Sequence, residues 1–214
     1  MWWAFLVCGA AGYLAGSVPM GLIIGRVARG IDIREYGSGK TGVTNVVRTA
    51  GIRWGVVALL GDVAKGVAPV IIARLISGDP YVQTTAGLFA AVGHDFPVFA
   101  GFHGGRGVAT SYGAALAMSP VSAAIVLPLG IAVLGLSRTM SLMSVTMAPV
   151  LAMVSVTFAA LGWHSWAAAT YALLAAALVV VFHRENIARL IAGTEPKFGQ
   201  GGDRRAGATS DSPP

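Results

Sequence analysis

Charge is what this sequence has least of. Lys, Arg, Asp and Glu together make up 11% of its 214 residues, while 55% are hydrophobic. A soluble domain averages about 25% charged residues. So few charges cannot cover a water-facing surface, so a bilayer must cover part of the apolar surface. Cysteine is scarce too: Cys8 is the only one. That excludes a disulfide within the chain and a thiolate metal site, and leaves packing in its apolar run as the expected role. No basic stretch precedes the first apolar run, which is also too long for a signal-peptide core, so a retained first helix is expected. Runs of Lys or Arg interleaved with aromatics are absent, which argues against nucleic-acid binding. The net charge of +6 therefore reads as the positive-inside signal of a membrane protein.

The apolar runs set out the expected helices. Met1 to Gly25 carries no charge and is long enough for a hydrocarbon core of about 30 Å. Gly12, Gly16 and Ser17 suit close helix contact within it. Trp54 to Ile76 is the second helix, interrupted by Asp62 and Lys65, and a third begins at Tyr81 after the turn Ser77-Gly78-Asp79-Pro80. Val108 to Ser137 is uncharged but broken at Ser119-Pro120. Met140 to Leu161 and Trp166 to Phe182 follow, with 183–197 starting as an extension of the last helix. From Gly199 the chain is rich in Gly, Ser and Pro and reads as a disordered polar tail, 199–214, behind a single membrane domain, 1–198.

Basic residues cluster at 26–53, at Arg106, at Arg138 and at 184–205. If 108–137 crosses once, these clusters fall on opposite faces; if it breaks at Pro120 into two crossings, all face the cytoplasm. The expected fold is an all-α integral membrane protein of seven transmembrane helices, amino terminus outside and carboxyl terminus cytoplasmic. The segment 108–118 is short and fits a re-entrant piece equally well.

Three polar segments interrupt the apolar frame. The first runs Gly37-Ser38-Gly39-Lys40-Thr41-Gly42-Val43-Thr44-Asn45 and on to Arg48. Glycines let backbone N–H groups approach an anion, and a helix starting near Thr44 would add positive potential. A P-loop would need glycine at position 34, where Arg34 stands, and no strand precedes it. A tight interhelical loop explains the same residues. The second segment holds Gly93-His94-Asp95-Phe96-Pro97 and then Gly104-Gly105-Arg106-Gly107, where Arg106 is able to grip phosphate bidentately; a glycine-rich turn with a cytoplasmic anchor is the plainer reading. The third is His183-Arg184-Glu185-Asn186-Ile187 with Arg189, Gly193, Glu195 and Lys197. His183 and Asn186 share a helical face where the last helix meets water. Asp62 and Lys65 are spaced to pair inside the membrane, either for function or as a clasp between helices. Arg138 and Ser141 stand where they would face the same site.

Familiar nucleophiles and bases are missing. No His is followed by Asp at the His-x4-Asp spacing, Ser38 lacks the flanking glycines of a nucleophile elbow, and no carboxylate–His cluster suggests a metal. The residues alone support a membrane protein with a cytoplasmic phosphate site.

The three segments together resemble the PlsY family, the bacterial acyl-phosphate:glycerol-3-phosphate acyltransferases. The family's first motif reads close to GSGNxGATN with a following arginine, and here stands GSGKTGVTNVVR. Its second reads close to GHxFPVFxxFxGGKGVAT, matched by GHDFPVFAGFHGGRGVAT, and its third looks like HRENIxRLxxGxExK, matched by HRENIARLIAGTEPK. GDVAKG at 61–66 is similar to the family's Asp-x-x-Lys-Gly. The resemblance implies acyl transfer from a fatty acyl phosphate to glycerol-3-phosphate, giving lysophosphatidic acid for phospholipid synthesis, without metal, acyl-CoA or other cofactor. It implies a multi-pass protein of the bacterial inner membrane, a monomer, with its site facing the cytoplasm. It assigns Ser38, Arg48, Arg106, His183 and Asn186 to activity and acceptor binding. Gly37, Gly39, Thr44, Asn45, Gly104, Gly105 and Gly107 would hold phosphate. Asp62, Lys65, Arg138, Ser141 and Glu195 would support the site, Glu195 structurally. Lys40 in place of Asn, Arg106 in place of Lys and Val43 in place of Ala depart from the pattern. An anion or phosphate-ester transporter, or a divergent relative with a different acceptor, are the alternatives.

Overall fold

A computed structural model describes residues 2–205. Among them the chain forms ten α-helices and two single 3₁₀ turns, with one isolated β-bridge and no strand: α1 (Trp2–Gly16), α2 (Met20–Arg29), α3 (Val43–Ala50), α4 (Ile52–Ile76), α5 (Pro80–Asp95), α6 (Val108–Met118), α7 (Pro120–Ser137), α8 (Met140–Ala160), α9 (Trp166–Phe182) and α10 (Arg184–Ile191). Four stretches are long and apolar enough to cross a membrane: α1 with α2, α4, α7 and α8. The pair α9 and α10 makes a fifth, bent by 61°. At 1.5 Å per residue, α5 reaches about 24 Å and α6 about 16 Å, against a hydrocarbon core of about 30 Å. Large apolar side chains point outwards, with Leu75 82% and Leu136 89% exposed, as a lipid-facing surface requires.

The interior is built from small residues. A Cβ on Gly16 would stand 2.0 Å from the Ala90 carbonyl oxygen of α5, and one on Gly66 would stand 2.0 Å from that of Thr110 in α6. Backbones can approach this closely only where a side chain is missing. The α1 glycines therefore serve the close contact expected of them. Around α8 and α9, Val126, Met147, Leu151 and Tyr171 fill a more ordinary core.

Two helical expectations change. The first apolar run is not one helix to Gly25: it stops at Gly16 and restarts at Met20. Pro19 lacks the N–H that would continue the ladder, and it disfavours helical geometry in the residue before it. Likewise, 183–197 does not extend the last helix. His183 leaves helical geometry, and α10 starts at a 61° bend. The break at Ser119-Pro120 stands where it was expected, with Pro120 opening α7. Of the tail expected to be disordered, residues 199–205 lie along the first polar loop, and 206–214 fall outside the described residues.

Asp62 and Lys65 form the inner clasp. Lys65 Nζ stands 3.0 Å from Asp62 Oδ1, with side-chain exposures of 8% and 1%. The contact is an ion pair without hydrogen-bond geometry, and Nζ donates to the Val18 carbonyl at 2.8 Å, in the break between α1 and α2. His94 Nδ1 lies 3.5 Å from the same carboxylate and 3.2 Å from Thr110 Oγ1. The pair thus ties α1, α4, α5 and α6 together, directly beneath the second glycine loop. Removing one partner strands a buried charge, which costs roughly 3–5 kcal/mol. Asp62→Ala should accordingly lower the thermal unfolding midpoint in detergent by several degrees, with Asp62→Ala/Lys65→Met less impaired than the single variant. Equal midpoints for wild type and Asp62→Ala would contradict the clasp.

Candidate active site

The three polar segments meet at one end of the bundle. Thr41 donates its N–H to the Gly104 carbonyl at 3.4 Å, joining the first loop to the second. Arg34 Nη1 reaches the Ala100 carbonyl at 3.1 Å and reinforces the join. Phe198 N donates to the Arg138 carbonyl at 2.6 Å, and Lys197 Nζ to the Ser137 carbonyl at 3.1 Å, bringing the third segment to the α7–α8 turn. That turn is where Arg138 was expected to matter, and its backbone is the part that makes the contact.

Asn45 folds the first loop from within. It is 1% exposed. Its Nδ2 is shared among the carbonyls of Ile33, Tyr36 and Lys40 at 2.9–3.0 Å, and its Oδ1 accepts from Ser38 N at 3.1 Å. The side chain expected to hold phosphate is therefore spent on the loop's own backbone. The glycine N–H groups are partly spent as well. Gly37 donates to the Asp203 carbonyl, Gly39 to that of Tyr36 and Gly105 to that of His94. Gly104, Arg106 and Gly107 keep N–H groups with no hydrogen bond among the described residues. As expected, a helix follows the loop: α3 starts at Val43, with Thr44 in its first turn. The Ser38 hydroxyl makes no hydrogen bond among the described residues.

Gly105 shows why the second loop needs its glycines. A Cβ there would lie 2.0 Å from His94 Nε2, so the loop rests flat on the imidazole. His94 is held in turn by the clasp below. The sequence motif contains this histidine, but nothing in its spacing revealed that it supports Gly105.

The third segment is organised by one carboxylate. Glu195 Oε1 accepts from Ser141 Oγ at 2.8 Å and from Asn186 Nδ2 at 2.6 Å, and Oε2 accepts from Arg189 Nε at 2.7 Å. Burial alone would raise its pKa; these three hydrogen bonds outweigh that and hold the carboxyl below its ordinary range. Asn186 Oδ1 is buried and left without a partner. Arg48 and Arg106 lie close enough to feel Glu195, Arg189 and each other, and burial lowers the pKa of both guanidiniums. Arg48 Nε is buried with no acceptor. A buried donor and a buried acceptor without partners are costly unless something fills the space between them.

His183 lies just past α9 and is 3% exposed. Its Nδ1 stands 2.8 Å from the Val179 carbonyl, so Nδ1 must carry the proton and Nε2 is left as the acceptor. Burial, helped by the charge of Arg106, pushes this imidazole down to about 4. Beside it, Val108, Tyr112, Met147, Leu151, Ala175 and Val179 line an apolar crevice between α6, α8 and α9.

Comparison with known proteins agrees with the geometry. The family model described as glycerol-3-phosphate acyltransferase matches residues 6–193. A curated glycerol-3-phosphate acyltransferase of Anaeromyxobacter sp. (strain Fw109-5) is 45% identical over 201 residues, covering 90% of this chain and 96% of the relative. One from Geobacter sulfurreducens is 42% identical over 194 residues, covering 90% and 97%. The crystal structure of PlsY (YgiH), an integral membrane glycerol 3-phosphate acyltransferase in its glycerol 3-phosphate form, superposes with a TM-score of 0.83 at 36% identity, covering 91% of this chain and 96% of that one. Its lysophosphatidic acid form gives 0.81 at the same identity. The chain belongs to the glycerol-3-phosphate acyltransferase family.

Proposed function

We propose that this protein transfers a fatty acyl group from acyl phosphate to glycerol-3-phosphate, giving 1-acyl-glycerol-3-phosphate and inorganic phosphate. The observation that carries the reading is the meeting of Arg48 and Arg106 with two acceptors, His183 Nε2 and the buried, unpartnered Asn186 Oδ1, at one end of the bundle. Cations there suit phosphate, and the acceptors suit a hydroxyl brought in beside it.

The reaction asks little of the protein as a base. The glycerol hydroxyl oxygen attacks the acyl carbon. The acyl–oxygen bond breaks, and the departing phosphate takes its electron pair and finally the hydroxyl proton. What the protein must supply is close approach of two phosphate-bearing substrates that repel each other. Arg48 and Arg106 offset that repulsion, and the open N–H groups of Gly104, Arg106 and Gly107 stabilise the leaving oxygens. Asn186 Oδ1 and His183 Nε2 aim the hydroxyl. Ser38 and Thr44 offer further hydroxyl donors at the first loop. The acyl chain lies in the apolar crevice beside Val108 and Val179, at the lipid edge.

The topology proposed with this reading is seven crossings (α1 with α2, α4, α5, α6, α7, α8 and α9), amino terminus outside and carboxyl terminus inside, in the bacterial inner membrane. All three polar segments then face the cytoplasm, with Arg74 and Asp79 at the other end. A monomer holds all the groups named.

Purified protein with palmitoyl phosphate and glycerol-3-phosphate should release phosphate only when both are present, with lysophosphatidic acid identified by mass; release without the acceptor would contradict the reading. Arg106→Ala should lower kcat/KM by roughly 100-fold or more, the scale of losing one strong oxyanion donor. His183 gives a third expectation. With its pKa held at about 4 by burial, its ring should show no titration above pH 5 in histidine-labelled NMR, the resonance assigned by its loss in His183→Gln. Unfolding returns the group to about 6.5, so the unfolded chain gains protons first and stability falls as pH drops from about 6.5 towards 4. Titration near 6.5 in the folded protein would make His183 a working base and sink the substrate-assisted step.

A further inference from the structure

The matched family model ends at residue 193, yet the chain beyond it returns to the site. After Glu195, Phe198 is fastened to the α7–α8 turn through the Arg138 carbonyl. Gly202 then passes so close to Arg48 that a Cβ on it would stand 2.4 Å from the Arg48 carbonyl oxygen. Residues 203–205 run antiparallel to the start of the first polar loop. Gly37 N donates to the Asp203 carbonyl at 2.9 Å, Arg205 N donates to the Glu35 carbonyl at 2.8 Å, and Tyr36 and Arg204 form a bridge between these bonds. Arg204 Nη2 also pairs with Glu35 Oε2 at 3.1 Å.

The strap carries a cation at position 205. The Arg205 guanidinium lies against Gly39, where a Cβ would stand 2.1 Å from Nη1. Gly39 itself has φ +68°, the left-handed backbone that favours glycine, and the guanidinium packs directly against it. No carboxylate pairs with that guanidinium among the described residues, whereas its neighbour Arg204 is tied to Glu35. An arginine fixed by its own backbone to a glycine loop, with no carboxylate partner among the described residues, has been brought there at some cost in chain entropy. The loop it reaches is the one that carries Ser38 and leads to Arg48.

We infer that Arg205, delivered by the strap 197–205, is a substrate-binding residue that grips a phosphoryl group at the Gly37–Gly39 loop. This rests on the acyltransferase reading for the identity of the substrate. The shared chemistry is a phosphate monoester dianion, supplied by either glycerol-3-phosphate or acyl phosphate. Arg205 touches neither the acyl carbon nor the hydroxyl, so it acts on binding and leaves the chemical step alone. Its planar fork suits two phosphate oxygens better than a lysine would.

The test uses the full chain with Arg205→Ala, Arg205→Lys and Asp203→Ala, the last as a control because Asp203 serves the strap through its carbonyl. Binding of inorganic phosphate and of glycerol-3-phosphate is measured by calorimetry, alongside KM for each substrate and kcat. Arg205→Ala should weaken phosphate binding and raise one KM roughly two- to fivefold with kcat unchanged, the scale of a solvent-exposed charge contact. Arg205→Lys should fall between, and Asp203→Ala should match wild type. A rise confined to glycerol-3-phosphate assigns Arg205 to the acceptor, and one confined to acyl phosphate assigns it to the donor. Unchanged phosphate binding and unchanged KM values in Arg205→Ala overturn the inference while leaving the acyltransferase reading in place. A wild type that binds phosphate through Arg205 but transfers no acyl group overturns the acyltransferase reading alone.

Discussion

One carboxylate sets the geometry on which the proposed chemistry depends. Glu195 holds Ser141 of α8, and Asn186 and Arg189 of α10, through three hydrogen bonds. Without it, α10 would have only a short polar helix's marginal tendency to form and nothing to fix its bend beneath α9. The same carboxylate spends the Asn186 amide N–H and so leaves Oδ1 as the group facing the site. It also offsets the charge of Arg48, Arg106 and Arg189, and burial disfavours the ionisation of the first two. A cluster of cations that must release a phosphate product needs enough negative charge to stay assembled when empty. Too much would repel the substrate. Glu195, with Glu185 also felt by Arg106, set against three guanidiniums meets both demands.

The site is stacked on the fold. Asp62 and Lys65 fix α4 to the broken start of the chain and to His94; His94 carries Gly105; Gly105 is followed by Arg106. Each layer is polar and nearly dry, so each depends on the one beneath for its hydrogen bonds. Such an arrangement suits a reaction in which approach of two anions is the obstacle. In the proposed mechanism the leaving phosphate accepts the proton, and a neutral imidazole with Nε2 free orients the hydroxyl.

Much of this was legible in the residues. Charge scarcity and uninterrupted apolar runs gave the helices, because nothing else satisfies backbone polar groups in lipid. Proline marked the break between α6 and α7. The same signal at Pro19 went unread because the apolar run continues through it, and composition alone cannot tell a kinked span from a straight one. The three polar segments were visible as glycine and arginine clusters, but the division of labour among them was not. Asn45 in a glycine loop reads as a ligand donor until its carbonyl partners are seen. Residues 199–205 read as tail because Gly, Asp and Arg carry no periodicity, and their order comes from pairing with a loop some 165 positions earlier. Long-range pairing of that kind leaves no local trace.

The account's central claim is that the three segments form one phosphate-ester site, with Arg48 from the first, Arg106 from the second and Asn186 from the third acting on the same acceptor molecule. Calorimetric titration of glycerol-3-phosphate into the detergent-purified protein, without any acyl donor, tests this most directly. The account predicts a single site in wild type, weakened roughly tenfold or more, or about 1.4 kcal/mol, in each of Arg48→Ala, Arg106→Ala and Asn186→Ala. Wild-type affinity retained in all three folded variants would contradict it.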